Sequence, residues 1–144
     1  MPVTYTNNWE NISDKLLNIF RSEFGATLPV YLGEGDYAGS QFLKILYNSS
    51  ELVEKNVESE TREYSFTFVV YMMEISSNKS DMINLLRIIS RIEALINQNR
   101  NITLADNTLA INCNLDNYLI AEQEDSENYL IEMDFLCSHL GNVN

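Results

Sequence analysis

The clearest alternation of apolar and polar positions lies in TREYSFTFVVYMME, residues 61–74. Tyr64, Phe66, Phe68, Val70 and Met72 fall on one side, and Ser65, Thr67, Val69 and Tyr71 on the other. This is the period of a strand, and its aromatic and β-branched content predicts a central place in a sheet. ENYLIEMDFLC, residues 127–137, repeats the pattern. There Tyr129, Ile131, Met133 and Phe135 face one way, while Leu130, Glu132, Asp134 and Leu136 face the other. Two other stretches carry the helical period. Trp9, Ile12, Leu16, Phe20 and Phe24 form one stripe, with Asn7 or Asn8 available as a cap and Gly25 as a left-handed stop. Met82, Leu85, Leu86, Ile89, Ile92 and Ile96 form a second, wider stripe, which predicts a helix capped by Ser80 with Asp81 in its first turn. So wide a face suits packing on a sheet plus contact with another subunit, and it suits a thick intramolecular core equally well.

The remaining segments are shorter. LPVYL (28–32) predicts a short strand, with Pro29 at its start or at a sheet edge. GEGDYAGS (33–40) is a glycine-rich loop, and QFLKILYN (41–48) a second strand. The polar, acidic stretch 49–60 reads as an exposed connection or as the tips of a long hairpin. LAINCNL (109–115) and NYLIAEQ (117–123) read as two strands, with AEQEDSEN as a hairpin end before the last strand. The order α-β-β-β-α-β-β-β with long alternating strands predicts an α+β fold, a mostly antiparallel sheet flanked by two main helices on one face. At 144 residues, without a shift in composition, the chain reads as a single domain, 1–144.

Charge narrows the possible partners. Nine Lys and Arg against 21 Asp and Glu give a formal net charge of −12, and the pI is near 4.3. Such a chain lacks the basic patch that grips phosphates by releasing counterions. No Lys or Arg follows Arg100, whereas eight acids do. The plain reading is a solvated surface that maintains solubility, and the sharper one is a surface that must not adhere to a polyanion. Without a membrane-length apolar run or a signal-like N-terminus, the sequence predicts a soluble protein made in the cytoplasm, with no membrane partner.

Candidate chemistry is sparse. Cys113 and Cys137 read as buried free thiols, close in space if their strands pair. His139, the lone histidine, sits near the chain end without a motif around it. The 33–40 loop lacks the strand–GxGxxG–helix setting and the lysine of a phosphate loop, which argues against nucleotide binding. EDSE (124–127) and EGD (34–36) offer carboxylates without the spacing of a calcium loop. No nucleophile motif is present, so the expectation is a non-enzyme with no catalytic, cofactor or metal site.

Taken together, NNWENISDKLLNIF, LPVYLGEGDYAGS, ESETREYSFTFVVYM, SDMINLLRIISRIEALI and SENYLIEMDFLC resemble, in order and texture, the tail-terminator and tail-completion (neck) proteins of long-tailed bacteriophages. The likeness runs over nearly the whole chain and includes no diagnostic motif. It implies a structural virion protein of the tail or neck, assembled in the host cytoplasm. Its subunits would form a homo-hexameric ring that caps the tail-tube protein, meets a neck or connector protein and lets DNA pass without specific binding. The residues themselves suggest candidates for lumen or tube contact: Glu51, Glu54, Glu58, Glu60, Glu122, Glu124, Asp125, Glu132 and Asp134. They also suggest a subunit-contact loop with Glu34, Asp36 and Tyr37. A head–tail neck adaptor, or a small acidic module that mimics nucleic acid, would carry the same charge.

Overall fold

The structure is a computed structural model that describes residues 3–35, 41–72, 79–122 and 128–142. The first helix, α1 (Asn8–Phe24), starts where the Asn7 side chain accepts the Glu10 backbone N–H at 3.2 Å. It stops at Gly25, whose φ of 55° costs little without a Cβ and whose N–H reaches the Arg21 carbonyl at 3.0 Å. Six strands follow: β1 (Val30–Leu32), β2 (Gln41–Lys55), β3 (Ser59–Met72), β4 (Ile102–Thr103), β5 (Leu109–Glu122) and β6 (Tyr129–Asn142), with α2 (Lys79–Gln98) between β3 and β4. They form one sheet in the order β1-β2-β3-β6-β5-β4. Every described pairing is antiparallel except that of β1 with β2. The expected α+β class and element order are therefore present, with a curled sheet.

Both helices cover one face. Ile12, Leu16, Phe20 and Phe24 from α1 share a core with Leu85, Ile89, Ile92 and Ile96 from α2. Beneath them lie Phe66, Phe68 and Val70 of β3 with Ile131, Met133 and Phe135 of β6, all fully buried. Phe68 meets Phe20 edge-on at 5.1 Å and stacks on Phe135 at 5.0 Å. Trp9 packs its edge contacts onto Tyr47, Tyr64 and Phe66. Chain geometry sets the direction of α2. It begins after Met72 and ends before Ile102, which pairs with Ala110, itself opposite His139 and through it Arg62. Ten strand steps from Met72 back to Arg62 span about 33 Å, and a 20-residue helix spans about 30 Å. The helix therefore retraces the strand it follows.

Three local expectations change, and one pair of alternatives is decided. Residues 49–60 are the tip of a long hairpin, the second of the two expected readings, and not a free connection. They belong to a long β2–β3 hairpin paired from Gln41↔Met72 to Lys55↔Glu60. The strands expected at 109–115 and 117–123 are one strand, β5, with register shifts after Ile111 and Leu115. At the first shift Asn112 takes φ 53°, a conformation that asparagine tolerates and that a bulge requires. Helix α2 already includes Ser80, so Ser80 is not its cap. His139 is not in a loose chain end but buried within β6.

Candidate functional site

The sheet face opposite the helices holds the acidic positions. Cross-strand register puts Lys44, Val69, Glu132 and Leu119 in one row of that face, and Leu46, Thr67, Asp134 and Asn117 in the next. Glu63 lies farther along β3 and Glu51 opposite it on β2. Lys44 is the one base in these rows, and it is held by Glu34 at 2.8 Å. The face therefore presents Glu132 and Asp134 with no partner base opposite either of them. It is not uniformly polar. Val69 is buried, Phe42 is enclosed between Tyr31 and Tyr71 at 6.2 and 5.2 Å, and Leu119 is 62% exposed.

The far end of the β2–β3 hairpin is a second distinct feature. β1 pairs only with Val30↔Leu43 through Leu32↔Ile45, so β2 runs on past it to Lys55. The turn at 56–58 is tightly ordered. Asn56 Oδ1 accepts the N–H groups of Glu58 and Ser59 at 3.0 and 2.8 Å and the Ser59 hydroxyl at 3.0 Å. An asparagine side chain bonded to the backbone two and three residues on is a self-contained turn. It holds Val57 at the tip, 93% exposed, above Leu52 and Val53, which are 46% and 60% exposed.

The expected site residues therefore do not gather in one place. Glu51, Glu54, Glu58 and Glu60 lie on this arm, where Glu60 meets Arg62 at 3.2 Å and Lys55 at 3.9 Å. Glu132 and Asp134 lie on the open sheet face. Glu122 ends β5, while Glu124, Asp125, Asp36 and Tyr37 fall outside the described residues. Glu34 is the exposed partner of Lys44. The sequence reading passed over the apolar tip residues Leu52, Val53 and Val57. The cue was Asn56 followed by Ser59, a turn signal within a polar stretch.

It also passed over a polar cluster at the arm's base. His139 Nε2 is 2.8 Å from the Thr108 hydroxyl, which donates to Asp106 Oδ1 at 2.6 Å. Asn11 of α1 donates to the other Asp106 oxygen at 3.4 Å. The Thr108 hydrogen bond holds the Asp106 carboxyl below its ordinary range. Burial pushes the His139 imidazole down, against the opposing pull of Asp106 and Glu60. The cluster ties the β4–β5 turn and β6 to α1, and the edge of Tyr64 closes one side of the ring at 6.3 Å. A hydroxyl set between an imidazole and a carboxylate does not make a nucleophile triad, in which the imidazole stands between the other two. The cysteines are buried, free and adjacent. The Cys137 thiol donates to Cys113 sulfur, which raises its pKa, and burial raises it further.

A groove of about 580 Å³ lies between α1 and the start of the arm, lined by Asn7, Trp9, Glu10, Asp14, Leu32 and Tyr47. Its chemistry is two carboxylates and two aromatic side chains, with no Lys, Arg, His, Ser or Cys among the lining residues. Among the described residues no three His, Cys, Asp or Glu side chains gather as a metal site, and no described helix is long and apolar enough to cross a membrane.

No known protein family and no curated protein matches this sequence. The fold does have counterparts among solved structures. One, whose name gives no function, aligns over 94% of both chains with a TM-score of 0.60 and 10% identity. Another is a chain from the virion of a native gene transfer agent particle. It covers 78% of both chains with a TM-score of 0.51 and 9% identity. This chain shares its fold with a component of a virion particle.

Proposed function

We propose that the chain is a structural virion protein that terminates a tail tube and joins it to the neck, as a hexameric ring through which DNA passes. The observation that carries this reading is the shared fold with a chain of a gene transfer agent virion over most of both chains. The open sheet face supports it physically. Glu132 and Asp134 stand in two cross-strand rows whose one base among the described residues, Lys44, is already paired. Like charge on a lumen wall lets a polyanion slide without being held. On this reading the protein works without catalysis or cofactor. Its partners are further copies of itself, the tail-tube protein and a neck or connector protein, at the tail or neck of a particle assembled in the host cytoplasm.

Electron microscopy of particles from a host whose copy of this gene is deleted tests the proposal. The expected result is tails of uncontrolled length or tails that fail to join heads, with purified protein restoring both. Normal joined tails in the deletion strain would overturn it. Tails of normal length beside unjoined heads would favour a neck adaptor instead. A monomer that captures a DNA-binding protein would favour the acidic mimic.

A further inference from the structure

The arm and helix α2 carry complementary surfaces that one chain cannot bring together. The arm tip is apolar at Leu52, Val53 and Val57, and acids surround it at Glu51, Glu54 and Glu58. Three exposed aliphatic side chains around a turn pinned by Asn56 form a preorganised knob, because the backbone that presents them is already ordered. On the outward side of α2 lies an open groove of about 460 Å³ lined by Ile83, Leu86, Arg87, Ser90 and Arg91. Its floor is aliphatic, with Ile83 37% and Leu86 44% exposed. Arg91 is anchored from below by Glu23 at 2.9 Å and lies over the Phe24 ring at 4.7 Å. Arg87, one helical turn before it, is exposed and makes no ion pair with another described residue.

Position makes the match intermolecular. The groove lies toward the Met72 end of the sheet and the tip beyond the Ser59 end. From the rise of a strand and of a helix, they stand roughly 30 Å apart. We infer that the arm tip of one copy seats in the α2 groove of a second, with Val57 and Leu52 on Ile83 and Leu86, and Glu54 and Glu58 toward Arg87 and Arg91. Two different patches meeting head to tail make a heterologous contact, the kind that closes into a ring. For a chain with a net charge of −12, association needs local opposite charge. At ordinary salt, interactions over about 8 Å or less outweigh the distant repulsion. The inference rests on the ring reading above and specifies its subunit contact. It assigns the arm acids Glu51, Glu54 and Glu58 to that contact and leaves the lumen to Glu132 and Asp134.

The test is light scattering on purified full-length protein at its highest soluble concentration, alone and with tail tubes. Val57→Asp, Arg87→Glu, Glu54→Arg and the double variant Glu54→Arg/Arg87→Glu are compared with wild type. The expected result is a defined multimer for wild type, loss of most of it in each single variant, and recovery in the double variant. Unchanged helicity and melting in the exposed-site variants separate assembly from folding. In a second measurement, Val57→Cys combined with Leu86→Cys should give an interchain disulfide ladder under oxidised glutathione, with neither single variant doing so. A wild type that stays monomeric in both conditions, single variants that assemble normally, or the absence of a ladder would overturn the contact. Variants that lose assembly while wild type fails to cap tubes would preserve this contact and overturn the tail function. Caps formed equally well by Arg87→Glu would do the reverse.

Discussion

The two faces of the same strands differ in what they can lose. On one face of β3 and β6, Phe66, Phe68, Met133 and Phe135 are fully enclosed by two helices. On the other, Thr67, Glu132 and Asp134 have neither of the described helices above them, although they are the immediate neighbours of those core residues along the chain. Only the direction of the side chain separates the two sets, because a strand turns alternate residues to opposite sides. The helix-covered face carries the core, and on the proposed reading the bare face lines the passage for DNA. A substitution on one should leave the other's readout almost untouched.

The largest expected effect tests the covered face. Phe68→Ala removes a ring that touches Phe20 and Phe135, and should cost about 3–5 kcal/mol in the urea midpoint of unfolding. A loss under about 1 kcal/mol would mean that the core closes around the gap and that this face is less decisive than argued.

A smaller effect concerns the buried histidine on that face. Burial holds His139 below its ordinary 6.5, so the native state favours the neutral ring. The associated stability is present above pH 6.5, begins to be lost as pH falls below it, and is gone once pH passes the lower folded value. Lowering pH from about 7.5 to about 5 should reduce unfolding free energy, and His139→Gln should flatten that slope. Asp106, also held low, adds loss in the same direction at still lower pH. A slope equally steep in the variant would remove His139 as its source.

Asn7→Ala should cost about 1 kcal/mol, because the start of α1 loses the acceptor for the Glu10 N–H. Asn7→Asp should preserve most of it, as read by thermal melting.

The smallest stability effect belongs to the bare face. Glu132→Gln with Asp134→Asn should shift stability by less than about 0.5 kcal/mol, while slowing DNA ejection from assembled particles. If the pair instead unfolds the protein, or leaves ejection unchanged, the division of labour between the faces fails.

Particular residues explain how much could be read in advance. The strand at 61–74 and the last strand were legible because each buries one face only, so the sequence alternates. Both helices were legible from stripes at helical spacing. The arm was legible only as one of two alternatives, because residues 49–58 are exposed or half-buried on both sides and no period survives. Its strand character comes from six cross-strand pairs, Ser49↔Ser65 to Lys55↔Glu60, which local preference does not encode. Strand β5 was divided in two because Asn112 and Asp116 sit at register shifts, where the alternation slips. The buried state of His139 was hidden as well, since Thr108 and Asp106 lie about thirty residues away.

By itself, the sequence determined which side chains turn inward on β3, β6, α1 and α2, and the net charge of −12 that any partner must meet. These follow from local periodicity and total charge. Only the tertiary structure decided that Glu132 shares a sheet row with the one occupied lysine, Lys44, and that Val57 stands exposed at the tip of a paired arm. Each of these depends on the register between strands distant in sequence, which is selected by packing the whole sheet at once.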